Sequence, residues 1–80
     1  MKTQQELIYQ YEQELEALDE IYVAGDEAQT HINYTVAHKN QYLMPYYPFQ
    51  NDPVTLHYEI AMRIRSLIEL IDMAEDLNFN

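Results

Sequence analysis

Glu12, Glu16, Asp19 and Glu20 recur at helical spacing in a stretch that contains no base. A carboxylate row of this kind has three uses: acid–base catalysis, metal ligation, or presentation of negative charge to a partner. Acid–base chemistry needs carboxyls held in enclosed, contrasting environments that separate their pKa values. Here the neighbours are Gln10, Gln13 and further acids, which describe a solvated helix face. Metal ligation fares no better. On a helix His31 and His38 would share a side two turns apart, roughly 10 Å along the axis and too far to hold one ion together. Glu27 and His31 are four residues apart with no third ligand in view, and His57 stands alone. There is no cysteine, no glycine-rich phosphate loop and no HExxH. Ser66, the single serine, falls mid-helix between Arg65 and Leu67. The sequence therefore predicts no enzyme, no metal site and no cofactor, and leaves charge presentation.

The charge is strongly zoned. Fourteen acids oppose four bases, for a formal net charge of −10. Residues 3–27 carry Glu6, Glu12, Glu14, Glu16, Asp19, Glu20, Asp26 and Glu27 and no base, whereas residues 28–51 carry no acid at all. Phosphates would repel such a chain, so neither nucleic acid nor an anionic membrane surface is an expected partner. A basic protein is. Residues 6–20 span roughly 21 Å of helix and hold six carboxylates, from Glu6 to Glu20. One strand of DNA carries about six phosphates over that length. The row thus has the charge density to occupy a basic groove built for nucleic acid. In size and charge the chain resembles the small acidic phage inhibitors of restriction and CRISPR systems, and the resemblance implies an inhibitor that mimics nucleic acid.

The acid-free zone holds four of the eight tyrosines, Tyr34, Tyr42, Tyr46 and Tyr47, and ends in the run MPYYPFQN. Large rings at modest entropic cost suit the centre of an interface. Tyr46, Tyr47 and Phe49, on a segment stiffened by Pro45 and Pro48, are the expected apolar anchors beside Glu12, Glu16, Asp19 and Glu20. The competing reading is that these rings close the end of a small core. Tyr46-Tyr47-Pro48 also resembles the Tyr-Tyr-Pro segment with which colicin-immunity proteins contact their nuclease toxins. The match covers three residues, and Phe49, Gln50 and Asn51 stand where that family carries acids.

The elements that must position these residues read as helices. One glycine and three prolines allow few turns. The expected fold is an all-α, three-helix bundle in a single domain, with helices over 4–24, 27–43 and 53–77 and a Pro/Tyr-rich connection over 44–52. Thr3 and Glu6 match a capping box, and Leu7, Ile8, Tyr11, Leu15, Leu18 and Tyr22 form one apolar stripe. Gly25 is placed to end this helix. Asp26 and Gln29 match a second capping box. Residues 29–49 also fit a hairpin, because Ile32, Tyr34 and Val36 alternate with polar residues, giving an α-β-β-α alternative.

Asp52 and Pro53 open the last helix. Its apolar surface, from Leu56, Ile60, Ile64, Leu67 and Ile71 to Met62, Leu70, Met73 and Leu77, covers an arc of roughly 200°, about twice what one neighbour needs. Arg63 lies inside that arc and is expected to reach over the core to a carboxylate of the first helix. The second neighbour is either the middle helix or another molecule, so a homodimeric structural or assembly protein is the second functional reading. No apolar run approaches a membrane span, and MKTQQELIYQ lacks the apolar core of a signal peptide, so a cytoplasmic location is expected.

Overall fold

The computed structural model describes residues 3–78, the last two by backbone alone, so the Leu77 side chain and residues 79–80 lie outside it. The described chain is all-α. Helix α1 spans Gln4–Ile21, a short α2 spans Tyr34–Lys39, a 3-10 helix spans Met44–Phe49, and α3 spans Pro53–Asn78. At about 1.5 Å per residue the 26-residue α3 is roughly 39 Å long. It sets the 44 Å long dimension of the molecule.

Helices α1 and α3 form the frame and run antiparallel. Glu14 meets Arg63 and Tyr22 meets His57, so the pairing moves forward along α1 as it moves back along α3. Ala17, Leu18 and Ile21 of α1 and Leu56, Ile60 and Leu67 of α3 are buried together. Ile32, Ala37 and Leu43 add the middle segment to the same core. The buried side of α1 is therefore turned toward Ala17 and Ile21 from the stripe read in the sequence. Leu7, Ile8, Tyr11 and Leu15 are only partly covered.

Residues 22–33 and 40–52 depart from expectation. No strand occurs among the described residues, which overturns the hairpin over 29–49. The helix expected over 27–43 is also overturned except at Tyr34–Lys39. The signal of Asp26 and Gln29 is real but local. The Asp26 carboxylate accepts the Ala28 N–H (3.1 Å) and the Gln29 amide (2.6 Å), and so closes a turn that competes with a helix start. The cap that does open a helix is Asn33, whose side chain accepts the Val36 N–H at 2.9 Å.

Gly25 has φ +77°, as a left-handed position requires. It does not end α1, which stops at Ile21 rather than 24 with an extended Tyr22. It occupies the third place of a turn closed by the Asp26 N–H on the Val23 carbonyl (3.1 Å), where positive φ is needed. The run MPYYPFQN, expected to be extended, instead coils as the 3-10 helix. Prolines block the α-helical ladder, while i→i+3 bonds such as Tyr46 N–H to Leu43 O (3.0 Å) remain open to it.

Both long helices are capped as read. Thr3 accepts the Glu6 N–H at 3.1 Å, and Asp52 accepts the Thr55 N–H (3.1 Å) and hydroxyl (2.6 Å). The side-chain bond from Thr55, followed by the backbone bond, holds the Asp52 carboxyl below its usual 3.8. A lowered folded pKa means that this cap's contribution is complete above the unfolded value and is lost as pH falls through the folded one. Asp52→Asn is therefore expected to flatten the acid limb of the stability curve. Acid titration followed by circular dichroism checks this; an acid limb identical to that of the wild type would refute it.

Candidate partner-binding surface

Glu12, Glu16, Asp19 and Glu20 are all exposed on α1, on the side turned away from Ala17, Leu18 and Ile21. Glu6 is exposed as well. Glu14, the acid that falls outside this face, is the one drawn inward. Arg63 donates to it through Nε (2.6 Å to Oε2) and a terminal nitrogen (3.0 Å to Oε1). The Glu14 side chain is 13% exposed and that of Arg63 37%. The fork-to-fork geometry is the strong form of this contact. Hydrogen bonding to Glu14 raises the guanidinium pKa further, against the opposing effect of burial. The structure thus bears out the reach of Arg63 across the core and identifies the carboxylate it meets. Five exposed carboxylates remain over the roughly 21 Å between Glu6 and Glu20.

The three anchor rings read from the sequence are all half-buried and pack on the core. Tyr46 stands beside the Glu14–Arg63 pair. Burial pushes its phenol above 10.0, Glu14 pushes the same way and Arg63 opposes. Phe49 leans on the core. Tyr47 presents an edge to two other rings, Tyr34 (centroids 5.9 Å, 79°) and His38 (5.6 Å, 80°). Those two stack on each other at 3.9 Å. The His38 ring is oriented by its Nδ1–H, which donates to the Tyr34 carbonyl at 2.9 Å.

The outward aromatic surface is therefore Tyr34, 62% exposed, with His38, the rim of Tyr47 and the neighbouring Met44. The reading of the run 44–51 missed Tyr34 and His38. Their four-residue spacing, which places two rings on one side of a helix, was the available signal. No acid lies between residues 28 and 51, and Lys39 is the one Lys or Arg in that stretch.

His57 is not isolated. Its Nδ1 lies 2.5 Å from the Thr30 hydroxyl, and Tyr22 stacks on its ring at 4.6 Å. Thr30, 2% exposed, also donates to the Asp26 carbonyl at 3.2 Å. With its single proton so engaged, the hydroxyl accepts from His57 Nδ1–H. This chain of contacts fastens the 22–33 loop to α3. His31 precedes α2, so it does not share a helix with His38. No group of three or more His, Asp or Glu among the described residues is placed to hold a metal ion. No helix there is long and apolar enough to cross a membrane.

Comparison of the chain with protein-family models, with curated proteins and with solved structures gives no significant match in any of the three.

Proposed function

We propose that this chain is a non-enzymatic binding protein that inhibits or regulates a basic partner, one whose positive surface otherwise serves nucleic acid. The observation that carries the reading is the division of labour among the α1 acids. Glu14 is enclosed by Arg63, while Glu12, Glu16, Asp19 and Glu20 stand outward with no base on their helix. Their mutual repulsion weakens α1, and core packing must offset that cost. A charge row maintained against its own repulsion suits a surface that meets opposite charge. The acid-free ring patch of Tyr34, Tyr47 and Met44 supplies apolar contact, with Tyr46 and Phe49 bracing it from the core side. In this reading the short α2 completes a small bundle by holding the ring patch against the α1–α3 pair.

The test is capture from lysate by the immobilised chain, washed at low and high salt, beside a variant with Glu12→Gln, Glu16→Gln, Asp19→Asn and Glu20→Gln. Exposed charges are screened beyond about 8 Å at physiological ionic strength. Capture of basic proteins is expected in the low-salt wash, with loss both at high salt and in the variant. Capture that ignores salt and the four substitutions would end the proposal.

A further inference from the structure

The geometry points to a guanidinium site in the groove between the first turns of α1 and the turn over 40–43, filled by an arginine side chain of the basic partner. This inference rests on the function proposed above and names a group by which that partner is held. The groove has a volume of about 580 Å³ and is lined by Gln5, Glu6, Tyr9 and Gln10 from α1 and by Gln41 and Tyr42 from the facing turn. That size falls within the range of small-ligand sites.

Helical spacing builds one wall. Gln5 and Tyr9 are four residues apart, as are Glu6 and Gln10, so the four side chains stand in two neighbouring rows on one side of α1. The turn builds the other wall. The Asn40 side chain accepts the Tyr42 N–H at 2.9 Å, and the Asn40 carbonyl accepts the Leu43 N–H at 2.9 Å. Leu43, 1% exposed, anchors the turn in the core. This wall is therefore held in place before a ligand arrives, which lowers the cost of binding.

The lining selects the occupant. Glu6 is its single charged group, and among the described residues no base pairs with that carboxylate. Lys39, two positions before Gln41, is not part of the lining. The rings of Tyr9 and Tyr42 attract a cation to their faces, and the amide oxygens of Gln5 and Gln41 accept hydrogen bonds. A guanidinium is a flat cation with five donors and serves all three kinds of group, whereas the ammonium of lysine is a compact point charge. A neutral polyol would use the rings and amides but gain nothing from the net charge of −10. Placement agrees. Glu6 begins the outward acid row and lies about 9 Å along the helix from Glu12, so a basic surface that covers the row reaches the groove in the same approach.

Titration with the blocked tripeptides Gly-Arg-Gly, Gly-Lys-Gly and Gly-Gln-Gly and with methyl glucoside, followed by NMR of the isotope-labelled chain at physiological salt, tests this. The arginine peptide is expected to shift the side-chain amides of Gln5 and Gln41 and the ring of Tyr42. It should bind more tightly than the lysine peptide, with the glutamine peptide and the glucoside inert. Glu6→Gln with Tyr9→Ala is expected to weaken its binding by roughly fivefold or more, with helicity unchanged because both positions are exposed. The variant that replaces Glu12, Glu16, Asp19 and Glu20 keeps every lining residue, so the shifts persist in it while capture from lysate is lost; the two readings therefore fail separately. Shifts that follow the outward acids and vanish in that variant would overturn the site. So would a response to the glutamine peptide, the glucoside or the lysine peptide equal to that of the arginine peptide, or indifference to the paired substitution.

Discussion

Arg63→Leu is expected to destabilise the fold by about 2 kcal/mol, roughly 10 °C in Tm for a chain this small. The substitution leaves the hydrocarbon packing of the side chain largely intact and removes two charge-assisted hydrogen bonds. Glu14 is then left mostly covered and without its partner. Breaking a fully buried pair in this way costs about 3–5 kcal/mol, but the 37% exposure of Arg63 admits water and reduces the figure. Adding Glu14→Leu to Arg63→Leu should recover most of the loss, because the unpaired carboxylate goes with it. Urea unfolding of both single variants and the double variant measures the coupling. If Arg63→Leu folded like the wild type, the clamp would be refuted and Arg63 would belong to a binding surface instead.

Leu18→Ala is expected to cost more, about 3 kcal/mol. Leu18 is 0% exposed and shares the core with Leu56, Ile60 and Leu67. A chain of 80 residues holds a net stability of roughly 4–12 kcal/mol, so this one change removes a large share of it. Ile8→Ala, in the same apolar stripe but half-exposed, should cost about a third as much. Urea midpoints of the two variants report the difference. Equal losses would mean that the buried side of α1 follows the sequence stripe rather than the line through Ala17, Leu18 and Ile21.

Comparison of these residues shows where sequence reading succeeds. The caps at Thr3 and Asp52, the positive φ of Gly25 and the starts of α1 and α3 depend on chemistry within a few residues of each site. Local pattern therefore predicts them. The middle segment does not yield in this way. Asp26 and Gln29 bond to one another in a turn as well as at a helix start, and the β-branched Thr30 and Ile32 favour neither state decisively. What holds 22–33 in place is tertiary: Ile32 is buried in the core, and Thr30 meets His57 across twenty-seven residues. The rings divide similarly. That Tyr46 turns to the ion pair and Phe49 to the core, leaving Tyr34 outside, depends on what α1 and α3 already cover.

By itself the sequence determined the zoning of charge and the two long helices with their N-terminal caps, while the choice between all-α and α-β-β-α stayed open at residues 29–49. The zoning and the helices follow from composition, from period and from bonds a turn or less in reach. Only the tertiary structure decided what encloses Glu14. Helical period sets Glu14 apart from Glu16 and the other outward acids, but the group that covers it, Arg63, lies forty-nine residues away in the chain. It also decided the breadth of α3. An arc of roughly 200° shows that more than one neighbour is needed, but the folded chain covers one side and leaves Tyr58, Met62 and Ile68 in the open. Burial is a property of what arrives from elsewhere, and no local pattern records it.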